Sequence, residues 1–200
     1  MTSSHLSVDI LRDKLIELLH PEHRDLMRNA QVSNHLRALV LQPGIFSVES
    51  NDIHNCIGVV LKGVIGVKHD FEGVDAITHF YQRGDLLMST EIDENYDRQG
   101  SFWHIYEETE LVLLPLFNEQ WQNEYAALSR ALSIQASLMA AFVYQKHINN
   151  LGIDRKYYSV QWLREHRRLL SIVPRMDLAN YLDISKSSLK SFIRIALSNG

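Results

Sequence analysis

Val173-Pro-Arg-Met-Asp-Leu-Ala-Asn-Tyr-Leu-Asp-Ile-Ser-Lys-Ser-Ser-Leu-Lys-Ser-Phe-Ile-Arg-Ile195 is the stretch that decides the fold. Pro174 suits the first position of a helix, where its missing N–H costs nothing. Leu178 and Leu182 stand four apart and share a helix face. Ala179 is small where two crossing helices must approach. Ile184 is placed to plug a turn, and Ser185 is a good N-cap for a second helix. Leu189, Phe192 and Ile193 give that second helix an inner face. The pattern predicts a helix-turn-helix from about Val173 to Ile195. Asp183 stands in its turn where glycine is usual. That position often takes a left-handed backbone, which aspartate tolerates better than most residues.

The outer face of the second helix carries Lys186, Ser187, Ser188, Lys190, Ser191 and Arg194, with Ser185 at its cap and Arg175 on the first helix. It holds three cations, several short hydroxyls and no acid. Such a face suits the major groove of double-stranded DNA: cations reach phosphates and bases, and no carboxylate repels them. Charge along the chain agrees. Residues 1–150 carry 11 Lys/Arg against 20 Asp/Glu, whereas residues 151–200 carry 9 against 4. A basic segment on an acidic chain points to nucleic acid.

Working toward the N-terminus, Tyr157 to Ser171 reads as one helix. Trp162, Leu163, Leu169 and Leu170 face inward, and Arg164, Arg167 and Arg168 outward. Before it, about Asn118 to Asn150 reads as a long helix without proline. Tyr125, Leu128, Leu132, Gln135, Met139 and Phe142 follow a 4-3 spacing, with Gln135 the polar exception. That seam suits a partner helix, and hence a homodimer, with packing on the chain's own sheet as the other option.

From about Val40 to Pro115 the texture is short β-branched runs broken by turn residues. Ile57 to Val67 reads as two strands hinged at Lys62-Gly63, and Val74 to Tyr81 as a strand closed by Arg83-Gly84-Asp85. Glu110 to Leu116 reads as a last strand. Gln42-Pro43-Gly44 and Asp70 to Gly73 read as turns. These strands suggest a small barrel or roll. Two helical patches precede it, one through Leu11, Leu15, Leu18 and Leu19, the other through Leu26, Val32, Leu36 and Leu39, with Pro21 between them. The fold class expected is α+β: N-terminal helices and an antiparallel β jelly roll, a long dimerisation helix, and a C-terminal helical domain. The expected units are 1–117, 118–152 and 153–200.

Several classes are excluded. No apolar run reaches the ~20 residues that cross a bilayer, and the N-terminus lacks the pattern of a signal peptide. No membrane partner is expected, and the default location is cytoplasmic. Cys56 is the only cysteine. It cannot form an internal disulfide or supply an iron–sulfur cluster alone, and its strand context reads as a buried thiol. His54, His69, His79 and His104 do not form a metal-binding pair of the cupin kind. No nucleophile elbow, P-loop or catalytic carboxylate pair occurs. The chain is not expected to be an enzyme or to hold a metal.

The order of helix, β-roll, long helix and helix-turn-helix resembles the Crp/Fnr family of bacterial transcription regulators. Val59-Val-Leu-Lys-Gly-Val-Ile-Gly-Val67 is similar to that family's strand–Lys-Gly–strand hairpin. Val74 to Leu86 is similar to its next strand and Gly-Asp step, and Glu107-Glu-Thr-Glu-Leu-Val-Leu-Leu-Pro115 to the strand that closes its roll. The resemblance covers nearly the whole chain. It implies a sensor roll similar to a cyclic nucleotide-binding domain, a dimerising central helix and a DNA-binding C-terminal domain. RNA polymerase is a further candidate partner on the same ground.

The departures bear on function. Cyclic-AMP-binding members carry a Gly-Glu pair for the ribose and an Arg-Ser/Thr pair for the phosphate after the Gly-Asp step. Here no Gly-Glu follows Leu87, and the Arg-Ser position falls on Ser101-Phe102. Arg98 lies among Glu91, Asp93, Glu94 and Asp97. Those acids repel a phosphate. No cofactor is predicted: the sequence argues against cyclic AMP and against an iron–sulfur cluster, and leaves haem or another small molecule open. On the reading helix, Lys186, Ser187 and Ser191 stand where the cyclic-AMP receptor has its Arg-Glu…Arg set, so the operator should differ. The hairpin wing that follows this helix in the family is not expected in this sequence, which is either naturally short or truncated. The leading expectation is a homodimeric DNA-binding regulator whose sensor roll is degenerate for cyclic AMP. The alternative is a ligand-sensing or protein-interaction module that has lost DNA binding.

Overall fold

The computed structural model describes residues 12–13, 16–17, 21, 24–25, 28, 35–47, 56–71, 74–89, 101–115, 119–134, 137–138, 141 and 154–198. Eight strands lie in this part: β1 (Arg37–Leu41), β2 (Gly44–Ser47), β3 (Cys56–Lys62), β4 (Val64–Phe71), β5 (Val74–Gln82), β6 (Leu86–Ser89), β7 (Ser101–Ile105) and β8 (Thr109–Pro115). They form two four-stranded antiparallel sheets, in the orders β1-β8-β3-β6 and β2-β7-β4-β5. The helices that follow are α1 (Glu119–Glu124), a helical run over 126–134, α2 (Arg155–Glu165), α3 (Leu169–Ile172), α4 (Arg175–Tyr181) and α5 (Lys186–Ser198). The expected mixed helix and antiparallel-roll architecture is therefore present.

The hairpins fall where turn chemistry puts them. β3 and β4 hinge at Gly63, whose φ of 103° is open mainly to glycine. A Cβ there would also collide with Thr109 at the start of β8. Gly44 and Gly84 complete the turns before β2 and after β5, both at positive φ.

Alternation along the strands builds two cores back to back. Cys56 and Val60 of β3 and Leu111 and Leu113 of β8 point between the sheets, where they meet Leu41, Ile65, Leu87, Trp103 and Ile105. Their sequence neighbours Ile57, Val59, Val112 and Leu114 point the other way, onto Leu128, Ala131 and Leu132 of the central helix. Both faces of β3 and β8 are thus covered, so these strands read as continuous apolar runs rather than alternating ones.

Four expectations need correction. Leu36 and Leu39 do not continue an N-terminal helix: Arg37–Leu41 is a strand, paired along its length with β8. Pairing and the burial of Leu41 override local helical spacing. The central helix is not continuous. It breaks at Tyr125, whose carbonyl accepts from the Ser129 N–H and so opens a second helical run, while its ring meets His35 edge-on. Tyr157 to Ser171 is likewise two helices. α2 closes at His166, whose N–H bonds the Trp162 carbonyl, and tight turns through Arg167 and Arg168 lead into α3. Pro174 is the N-cap of α4, with extended ψ of 140°, and not its first helical residue.

The dimer seam divides. Leu128 and Leu132 are buried on the roll and Tyr125 is half-buried beside them. The reason is the apolar outer face of β3 and β8, which the same stripe covers. Gln135, Met139 and Phe142 lie outside the described residues. So do the Leu11, Leu15, Leu18 and Leu19 stripe, His54, and the segment 90–100 that replaces the phosphate cassette.

Candidate nucleic-acid interface

α4 and α5 cross with Leu178, Ala179, Leu182, Leu189 and Ile193 between them, and Ile184 packs from the turn. The turn closes through hydrogen bonds from the Leu182 N–H to the Leu178 carbonyl, 3.1 Å, and from the Ile184 N–H to the Ala179 carbonyl, 3.0 Å. Asp183 has φ of 50°, the left-handed conformation this position requires. Its carboxylate is held by Arg155 at 2.9 Å, and the same guanidinium donates to the Asp183 carbonyl at 3.2 Å. Arg155, in the first turn of α2, is the anchor that sequence reading missed.

Ser185 caps α5. Its Oγ accepts from the Ser188 N–H at 3.1 Å and lies 2.8 Å from Ser187 Oγ and 2.9 Å from Ser188 Oγ. Two hydroxyls of the expected reading face are therefore tied to the cap at the helix start. Lys186, Lys190 and Arg194 follow at intervals of four, one above another on a single face. All three are exposed, as are Arg175, Ser185 and Ser187, whereas Ser188 and Ser191 are half-buried. Among the described residues, no carboxylate pairs with Lys186, Lys190, Arg194 or Arg175. The eight predicted residues lie on one unit, seven along α5 and its cap and Arg175 at the start of α4.

This unit is seated on the β2-β7-β4-β5 sheet, on the side facing away from the roll's interior. Val64, Ile77 and Phe80 share one apolar cluster with Trp162, Leu163, Leu178 and Tyr181. Ile77 and Phe80 reach the same side because β5 bulges: Val67 pairs with His79, and Lys68 with Ile77, leaving Thr78 as the extra residue. The Phe80 ring lies 5.0 Å from that of Tyr181 and 6.1 Å from that of Trp162.

A polar knot sits beside these rings. Asp177, in the first turn of α4, accepts from Tyr106 Oη at 2.6 Å and pairs with Lys68 Nζ at 3.2 Å, and His104 Nδ1 is 3.9 Å away. Lys68 and Asp177 are both buried. The His104 ring stacks on Tyr106 at 4.3 Å. Burial, with the hydrogen bond to Asp177 and its charge, holds the Tyr106 hydroxyl far above the usual tyrosine range. Burial does the same for Tyr181, helped by Tyr158. A second ion pair joins Arg168 to Glu107. Sequence reading did not single out Lys68, Tyr106 or Asp177. A lysine on a strand and an acid in a first helical turn each have an ordinary local reading.

Cys56 is buried, as expected. Among the described residues no group of His, Cys, Asp and Glu side chains could hold a metal ion, and no helix is long and apolar enough to cross a membrane.

No family model matches the chain, and no curated protein matches it in sequence. Solved structures do match. FixK2 from Bradyrhizobium japonicum is similar over 82% of this chain and 86% of its own, with TM-score 0.61 and 15% identity. A putative transcriptional regulator of the Crp/Fnr family from Eubacterium rectale is similar over 93% of this chain and 87% of its own, with TM-score 0.59 and 13% identity. A cyclic nucleotide-binding domain containing protein from Listeria monocytogenes is similar over 96% of this chain and 91% of its own, with TM-score 0.55 and 12% identity. The chain therefore has the fold of the Crp/Fnr regulators, as its sequence order suggested.

Proposed function

We propose that this protein is a transcription regulator that binds double-stranded DNA as a homodimer, with α5 as the reading helix. One observation carries the proposal. The outward face of α5 is a column of exposed cations, Lys186, Lys190 and Arg194, flanked by hydroxyls and, among the described residues, paired with no acid. It sits on a helix-turn-helix whose turn has the required left-handed residue. Cations on such a helix meet phosphates and guanine edges, and serine hydroxyls meet either. Lys186, Ser187 and Ser191, in place of an arginine, a glutamate and an arginine reader, would give a different base preference.

Dimerisation fits the central helix. Ile134 and Leu138 are exposed, at 53% and 59%, on the side that Leu128 and Leu132 leave uncovered. Two subunits joined there would present two α5 helices to half-sites about one helical turn apart. By spacing, Gln135, Met139 and Phe142 continue the stripe of Leu128 and Leu132 rather than this side, and are proposed as a second part of the contact with the partner.

The roll is proposed not to bind cyclic AMP. Trp103 and Leu87 help to fill the space between its sheets, and the sequence that follows the Gly-Asp step carries the acids Glu91, Asp93, Glu94 and Asp97, which repel a phosphate.

The test is DNA binding by the triple variant Lys186→Ala, Lys190→Ala, Arg194→Ala. Duplexes selected from random sequence by the unmodified protein serve as probes. The variant is expected to lose binding by two orders of magnitude or more, since each charge-assisted contact contributes ~1–3 kcal/mol, while its circular dichroism stays native. Unchanged binding would remove α5 from the role of reader. Genome-wide mapping of bound DNA then returns the operators.

A further inference from the structure

We propose that Asp177 and Lys68 are positioning residues for DNA reading: their buried pair fixes the helix-turn-helix on the roll in one orientation. The proposal rests on α5 being the reader, as argued above, but its physical core does not. The contact between the two units has an apolar part, Val64, Ile77 and Phe80 against Trp162, Leu178 and Tyr181. Apolar contact is non-directional and tolerates sliding. The polar part is directional. Asp177 Oδ2 receives Tyr106 Oη at 2.6 Å and Lys68 Nζ at 3.2 Å, so any rotation of α4 on the sheet strands a buried charge. Pairs of this kind serve orientation more than net stability.

The surroundings are shaped for the pair. Gly66 lies between Val64 and Lys68 on the same side of β4, and a Cβ there would meet the Tyr106 ring at 2.8 Å. The missing side chain lets Tyr106 lie flat toward Asp177, with His104 stacked behind it. Arg168 and Glu107 tie the unit a second time, from the turn between β7 and β8. In this seating the whole column of Lys186, Lys190 and Arg194 faces solvent. The lock therefore holds the reading face outward.

A fixed orientation matters to a dimer. Two half-sites must be met together, and a subunit free to swivel spends binding energy on being ordered. The lock removes that cost at one half-site spacing and imposes it at others. Loosening the lock weakens binding at the right spacing and leaves binding at a wrong spacing little changed.

The experiment compares the unmodified protein with Lys68→Met and Asp177→Asn in the full chain. Probes are the selected duplex and a copy with its half-sites moved by two base pairs, about a fifth of a helical turn. Each variant is expected to lose the preference for correct spacing by roughly tenfold. The double variant should lose no more than either single one, because both remove one interaction. A merely structural role would lower both affinities together and keep their ratio, and that result overturns the proposal. Amide exchange gives a readout that needs no DNA. Protection at Leu178 and Ala179 should fall in both variants while protection in β3 and β8 stays. Unchanged exchange at α4 sinks the lock even if α5 reads DNA. Reduced exchange protection in a protein that binds no duplex upholds the fastening and sinks the reading role instead.

Discussion

At the scale of single residues, Asp183 shows how the reading unit is made. Its φ of 50° is a conformation that most side chains resist, and Arg155 grips both its carboxylate and its carbonyl. Glycine at this position relieves the backbone but gives up the exposed ion pair, whose worth is ~0.2–1 kcal/mol. Asp183→Gly should therefore change stability by less than about 0.5 kcal/mol, because relief of a left-handed residue is of similar size. Asp183→Val gains nothing in exchange and should cost about 1–2 kcal/mol. Chemical denaturation of the two variants checks the pair, and a valine variant as stable as the glycine one would refute the account. The unusual residue was visible in the sequence, because the apolar positions on either side fix where the turn must fall. The Asp177–Lys68 pair was not visible. The two residues stand on different units, and neither breaks a local rule where it sits.

Among the elements, legibility followed burial. β3 and β8 were plain in sequence because both their faces are covered. β1 was misread because its burial alternates weakly, with only Leu41 fully in the core, and because its pairing partner is distant in the chain. The hairpin β3–β4 was fixed by Gly63, and its replacement is a direct test. Gly63→Ala places a methyl against Thr109 at a strained φ of 103°, and should cost about 2–4 kcal/mol. A loss of stability below ~0.5 kcal/mol would mean that β8 yields easily at Thr109. The link between β6 and β7 carries a different expectation. With four acids in the stretch from Glu91 to Asp97, millimolar cyclic AMP should leave the melting temperature unchanged. A ligand present at a hundred times its Kd adds ~2.7 kcal/mol, which is a shift of several degrees and easily seen.

For the whole molecule, charge and symmetry meet in one measurement. The chain is acidic overall at −4, yet its C-terminal fifty residues carry 9 cations against 4 acids. Non-specific attraction to DNA must then come from the C-terminal unit alone and grow with the number of such units docked at once. Each subunit of the proposed dimer offers Arg175, Lys186, Lys190 and Arg194, all exposed. If a dimer seats all of these on phosphates, the logarithm of its affinity should fall with the logarithm of salt at a slope of about −7. A monomer should show about half that slope, for the same reason. Ile134→Glu with Leu138→Glu separates the two cases. Both side chains are exposed in the single chain, so charge there should spare the fold while opposing a helix–helix contact. Sedimentation is expected to give a monomer with native circular dichroism. Titrations in rising salt should give the halved slope and an affinity for the selected duplex at least a hundredfold weaker, since two linked half-sites exceed one by ~10²–10⁴. A variant that stays dimeric places the subunit contact elsewhere on the surface. A monomeric variant with the full slope would mean that one subunit already makes all the phosphate contacts, and that the second reading helix adds nothing to binding.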